Sequence, residues 1–394
     1  MHRFAPFHNF LQRESSSGIL LLISAALGLL VANSPLSENY SRFFDYSFTI
    51  DALGIYLQLT ILKPINYGLM TIFFFVVGLE IKRELTSGNL AGLRLAAAPI
   101  FGALGGMMLP ALIYLAIAGA HDPRGWAIPV ATDIALAVGL LSLVGSRASN
   151  GLKSFLLALA VIDDIGAIVI IALVFSSGVI FSWLIAAVAA VIFVLLLQRI
   201  GMTKKYLYFF LGIILWYGLY KSGVHPTIAG VIMGLLTPAT PVKDDSLIDV
   251  EDGELTLVER LQASFHPLSA LVVIPIFAFA NSGVRLTKNT FDAALASPIA
   301  WGIFVGLVVG KPLGIMLTTK ITTAMKVARL ASETSPSALL AVGSTAGIGF
   351  TVAIFIAKLA FSEPALQDLA VTAVMAGSLL SGVVGVALFR LIHR

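Results

Sequence analysis

The chain has 394 residues, 58% of them hydrophobic and only 12% charged, against about 25% charged in an average soluble domain. This balance excludes a soluble globular domain and predicts an all-α polytopic membrane protein forming a single transporter domain over residues 1–394. The absence of cysteine excludes disulfides, thiolate metal sites and cysteine nucleophiles, leaving oxygen ligands suited to hard cations, and a net charge of +4 needs no nucleic acid to explain it.

Apolar runs of about 17–25 residues read as spanning helices. They fall near Gly18–Asn33, Pro64–Glu80, Leu95–Ala118, Trp126–Val144, Ser154–Phe175 and Ile180–Leu197. Six more fall near Tyr206–Tyr220, Thr227–Leu236, His266–Gly283, Ala300–Leu317, Ala338–Phe361 and Leu369–Leu388. The eighth needs flanking residues to cross. With twelve spans and both termini cytoplasmic, most of the Lys and Arg lie inside, while Arg42, Lys63, Arg124, Lys221, Arg285, Lys288 and Lys358 lie outside or at outer helix ends. Arg3 and Arg13 before the first apolar run also fit a signal peptide, but the many later spans favour a retained anchor.

After the first span, residues 38–60 include the aromatic and β-branched stretch Phe43–Tyr56, which suits a periplasmic hairpin with a free edge for another copy, or a loop lying on the interface. The second span ends at Gly78-Leu-Glu-Ile-Lys-Arg-Glu-Leu85, where Glu80 and Glu84 flank Lys82 and Arg83. These are boundary charges, although Glu80 could face a water-filled funnel that draws in cations.

In the fourth span, Pro129 disfavours the helix before it and Thr132-Asp133 follows like a cap, which predicts an interruption; a plain proline kink is the alternative. Non-helical backbone at membrane depth survives only where protein or a water-filled cavity shields it. The fifth span carries Asp163 and Asp164 side by side in an apolar run. One carboxylate at mid-membrane costs at least ~2.5–3.5 kcal/mol on insertion scales, so the pair predicts a binding site.

His225 opens the eighth span and reads from the residues alone as an interfacial histidine. An acidic cytoplasmic loop is expected at 237–265, ending near Arg260 and His266. The tenth span places Lys311 too far from a helix end to snorkel, so it needs a carboxylate partner, for structure or for function. The eleventh packs Gly343, Gly347, Gly349, Ser344, Thr345 and Thr351 into one segment, which suits close helix packing or a second interruption. Matching weak points in the groups 95–175 and 300–388 point to inverted three-helix repeats with a site at midplane.

Asp133, Asp163, Asp164 and Lys311 carry a formal charge of −2 together. Burial and like-charge crowding disfavour the ionised carboxylates, so protons compete with cations there. A site unable to hold both exchanges one for the other.

The runs Gly78–Leu85, Trp126–Ala135, Ala160–Ile168, Lys221–His225, Phe277–Asn281, Gly310–Ile315 and Gly347–Thr351 resemble, in order, those of bacterial NhaA-type sodium/proton antiporters. The resemblance implies twelve spans in the bacterial inner membrane, with unwound fourth and eleventh helices that cross. It implies electrogenic alternating access that exchanges cytoplasmic Na+ or Li+ for external protons in sodium and pH homeostasis, without a cofactor and without enzymatic chemistry. It assigns Asp163 and Asp164 to Na+ and protons, Thr132 to a place beside them, and Asp133 and Lys311 to the half-helix dipoles. It further implies dimerisation through a hairpin, here Phe43–Tyr56, and ties His225 to pH response.

The run Arg260-Leu-Gln-Ala-Ser-Phe-His-Pro267 lacks the carboxylate and first histidine of the family's pH-responsive cluster, leaving Glu80, Glu84, Arg260 and His266 to sense protons or cations. An intramembrane aspartyl protease would also pair membrane aspartates, but its Tyr-Asp and Gly-x-Gly-Asp signatures are absent, since Asp133 follows Thr132 and Asp163 follows Ile162. A sodium-coupled symporter on the same fold would need an organic-substrate pocket.

Overall fold

The computed structural model describes residues 14–52, 55–88, 90, 93–145, 148–176, 178–202, 204–239, 256–328, 330 and 334–392. Residues 240–255 of the expected acidic loop lie outside these.

The elements are α1 (Glu14–Ala32), α2 (Ser37–Asp45), β1 (Ser47–Ala52), β2 (Ile55–Thr60), α3 (Met70–Thr86), α4 (Leu93–Ala118), α5 (Ile134–Val144) and α6 (Asn150–Val174). They continue as α7 (Phe181–Arg199), α8 (Lys205–Ser222), α9 (Ile228–Leu236), α10 (Leu257–Leu268), α11 (Ile274–Asn281) and α12 (Lys288–Ala296). The last are α13 (Pro298–Val305), α14 (Lys311–Ala324), α15 (Pro336–Ala346), α16 (Phe350–Ala360) and α17 (Pro364–Ile392). A 3-10 helix, Pro123–Val130, precedes α5, and π turns occur at Pro64–Leu69, Ser269–Val273 and Gly306–Gly310. The last two come just before Pro275 and Pro312, whose missing N–H and bulky ring disturb the regular helical ladder.

Among the described residues, eight helices are long and apolar enough to cross a membrane, or up to ten if two bent pairs each make one span. The nine-residue α9 rises only about 14 Å, short of the ~30 Å hydrocarbon core. Large apolar side chains stand exposed along the helices, Phe181 at 73% and Leu379 at 70% among them, as a lipid-facing surface requires.

The chain divides into two compact units. The first comprises Met1–Leu62, Gly92–Ala167 and Ile274–Arg394. In it α1 packs on α5 and α11. After α1 the chain turns by 109° into α2, which is stabilised by a Glu38–Arg42 pair at 2.7 Å and buries Phe44 against Tyr40 and Phe279. The stretch expected as a hairpin from Phe43 therefore starts as helix, and the strands pair antiparallel from Ser47↔Thr60 to Ala52↔Ile55. The Glu38–Arg42 spacing of four residues favours helix there over an extended edge.

In the same unit α14 lies against α4 without side-chain spacing. A Cβ on Gly314 would fall 2.7 Å from the Gly105 carbonyl carbon, so glycine is what permits the contact. Two interruptions also belong to this unit. Residues 131–133 leave the helix before α5, with Ala131 and Asp133 extended, and residues 347–349 separate α15 from α16 at a 53° bend.

The second unit comprises Lys63–Ala91 and Ile168–Val273. Here α3 and α9 approach closely: a Cβ on Gly78 would fall 2.6 Å from Val231 O, and one on Gly234 would fall 2.6 Å from Phe75 O. The loop expected to reach residue 265 ends earlier, because Thr256 and Glu259 form a capping box that starts α10 at Leu257.

Candidate functional site

The entry to the first interruption is fixed by Asp122. Its Oδ1 accepts from Arg124 N at 3.0 Å, and its Oδ2 from Arg124 Nη2 at 3.0 Å. The Arg124 guanidinium holds the Asp122 carboxyl below the ordinary carboxylate range. Tyr114 donates to the Asp122 carbonyl at 2.9 Å, tying α4 to the same corner.

Asp133 is the cap of α5, and its Oδ1 accepts from Leu136 N at 3.1 Å. Its Oδ2 accepts from Thr351 N at 3.0 Å and from Thr351 Oγ1 at 2.5 Å, at the start of α16. One carboxylate, 2% exposed, thus serves the N-termini of two half-helices. Each such terminus carries about half a positive charge, so together they match one negative charge.

The opposite ends present carbonyls. Lys311 Nζ donates to Val130 O, the last residue of the 3-10 helix. Thr132 Oγ1 lies 2.9 Å from Ala346 O, the last residue of α15. Both donors also reach Asp163 Oδ2, Lys311 Nζ at 2.9 Å and Thr132 Oγ1 at 2.7 Å. The Thr132 hydroxyl has one proton, so Asp163 and the Ala346 carbonyl share it.

Asp163 on α6 is therefore the hub of the cluster. Its Oδ2 takes two donors, while its buried Oδ1 has no hydrogen-bond partner among the described residues. Asp164, 4% exposed, follows it on the same helix. The two N-terminal half-charges match Asp133, and the two C-terminal half-charges match Lys311, so the formal −2 rests on Asp163 and Asp164. Such an arrangement can hold a small hard cation or protons.

Sequence reasoning sought a carboxylate partner for Lys311, and the structure supplies Asp163. It missed the link from Thr351 to Asp133 and the parts played by the Val130 and Ala346 carbonyls. Two signals pointed towards them: a hydroxyl residue two positions after the last glycine of the break, and the ends of helices that Pro129 and Gly347 interrupt.

The residues read as pH-responsive lie in the second unit. Glu84 is 9% exposed and pairs with Arg83 at 3.3 Å; Glu80 is half-buried on the same helix. Arg260 is half-buried and His266 exposed on α10, which packs on α3 with Phe75 and Phe265 edge to face at 5.4 Å. His225 is buried, its Nδ1 2.6 Å from Thr227 Oγ1 and its ring edge to face with Tyr67 at 5.1 Å.

The sequence model of the family described as "Na+/H+ antiporter 1" matches residues 8–389. The Na(+)/H(+) antiporter NhaA of Shewanella oneidensis is 44% identical over 382 residues, covering 96% of this chain and 95% of that protein. The Na(+)/H(+) antiporter NhaA of Citrobacter koseri is 43% identical over 389 residues, covering 97% of each. The Na(+)/H(+) antiporter NhaA 2 of Myxococcus xanthus is 41% identical over 418 residues, covering 98% of this chain and 89% of that protein. These relatives are named as antiporters, which are transporters and not enzymes. Together with the apolar helices they mark the chain as a multi-pass membrane protein.

Proposed function

The chain belongs to the Na+/H+ antiporter 1 family, and from that premise we propose that it exchanges cytoplasmic Na+ or Li+ for external protons at Asp163 and Asp164. The observation that carries this reading is the asymmetry of Asp163, whose Oδ2 takes two donors while the buried Oδ1 takes none among the described residues. A cation approaching Oδ1 competes with Lys311 and Thr132 for the same carboxylate, and protonation removes the charge that attracts all three.

Asp133 and Lys311 neutralise the half-helix ends, and Thr132 lies between Asp163 and α15. With −2 on the aspartate pair, more than one proton balances each Na+, which makes exchange electrogenic. Alternating access proceeds in a twelve-span inverted repeat, 95–175 and 300–388, whose interrupted helices cross at the site. The protein sits in the bacterial inner membrane with both termini cytoplasmic and serves sodium and pH homeostasis without a cofactor. It dimerises through the hairpin on the periplasmic side, and Glu80, Glu84, His225, Arg260 and His266 adjust its pH response.

The test is proton flux in proteoliposomes on adding Na+, Li+ or K+ at several pH values, with membrane potential clamped or free. Flux driven by Na+ and Li+ but not K+, and sensitive to potential, is expected. No proton movement at any pH overturns exchange and redirects the search to an organic co-substrate.

A further inference from the structure

Thr351 is the second residue of α16, so its N–H is one of the donors that a helix start leaves without an internal partner. That N–H reaches Asp133 Oδ2 at 3.0 Å, and the Thr351 hydroxyl reaches the same oxygen at 2.5 Å. Both residues are buried, at 3% and 2% exposure. From the other side Asp133 N donates to Ile348 O at 2.6 Å, so the two interruptions are stitched together at Asp133 by backbone and side chain. Thr132, the next residue back, lies 2.7 Å from Asp163 Oδ2.

We infer that Thr351 is a positioning residue for ion exchange: its hydroxyl fixes Asp133 as the single charge shared by two half-helix starts. The inference rests on the antiport reading above. Without the hydroxyl, Oδ2 keeps only the Thr351 N–H, and the carboxylate is held less firmly against the start of α16. The segment carrying Thr132 shifts with it, and Thr132 loses its place against Asp163. The effect falls on the turnover of the site more than on the affinity of the aspartate pair, because Thr351 touches neither Asp163 nor the cation they hold.

The test uses the full chain in proteoliposomes with Na+-driven proton flux as readout. Thr351→Val keeps the branched shape and removes the hydroxyl; Thr351→Ser keeps the hydroxyl. Thr351→Val is expected to lower the maximal rate about tenfold, as loss of a hydrogen bond to a charged group does, with the KM for Na+ within about twofold of wild type. Thr351→Ser recovers most of that rate. In an Asp133→Ala background, which removes the acceptor, Thr351→Val adds no further loss to the residual rate, because the hydroxyl acts through the carboxylate. Thr351→Ala reproduces the effect if the valine variant does not fold. A wild-type rate in Thr351→Val, or a full additional loss in the Asp133→Ala background, overturns this inference alone. No flux in wild-type vesicles overturns the antiport reading and this inference with it.

Discussion

The Lys311 ammonium lies 2.9 Å from Asp163 Oδ2, with both side chains fully buried, and also bonds the Val130 carbonyl. One cation therefore joins the aspartate that faces the site to the end of the helix broken before it. A buried pair of this kind contributes little beyond an apolar replacement, but removal of one partner leaves a buried charge exposed to no water.

Lys311→Ala therefore destabilises the protein by roughly 3–5 kcal/mol. A thermal melt in detergent is expected to show a clear loss relative to wild type. An unchanged melting temperature contradicts the ion pair.

Asp163→Asn and Asp164→Asn each abolish exchange at every pH, since each removes one of the two charges that attract cation and proton. Asp164→Asn inserts at wild-type yield, because a neutral amide is easier to bury than a carboxylate, whereas Asp163→Asn leaves Lys311 as a buried charge without its carboxylate and lowers the melting temperature as well. Normal Na+-driven proton movement in either removes that aspartate from the site.

Gly314→Ala places a methyl 2.7 Å from the Gly105 carbonyl carbon and 3.1 Å from Leu109 Cβ. Overpacking of this kind costs about 1–3 kcal/mol. Because Lys311 lies one turn earlier on the same helix, the melting temperature and the exchange rate fall together. Wild-type values for both mean that α14 and α4 can separate without consequence.

Asp122→Asn gives a pH-dependent loss. The Arg124 guanidinium holds the Asp122 carboxyl low, so the native state gains stability above the unfolded carboxylate value of about 4 and loses it as pH falls through the lower folded value. Arg124 is 59% exposed, which screens the pair, so the variant loses only about 0.5–1 kcal/mol at neutral pH. Melting curves of variant and wild type converge in acid. A constant gap across pH contradicts the assignment.

The parts of the site that were legible in the sequence are those where burial is expensive. Asp163-Asp164 and Lys311 stand out because ionised groups seldom persist in apolar helices without a partner, and Pro129-Val-Ala-Thr-Asp133 reads as a break because proline and an N-cap residue both interrupt a helix. Which partners meet could not be read. Thr351 and Asp133 are 218 positions apart, and neither residue type names the other. Local pattern misled at two places: aromatic residues at Phe43 and Phe44 suggested a strand where Glu38 and Arg42 stabilise a helix, and acidic composition hid the Thr256–Glu259 cap that opens α10.

The competition of cation and proton for Asp163 and Asp164 is tested most directly by proton release on Na+ binding to the purified protein in weakly buffered detergent solution. Addition of Na+ is expected to release protons, addition of K+ to release none, and Asp164→Asn to abolish the release. Na+ binding without proton release, or equal release with Na+ and K+, would contradict exchange at a shared carboxylate site.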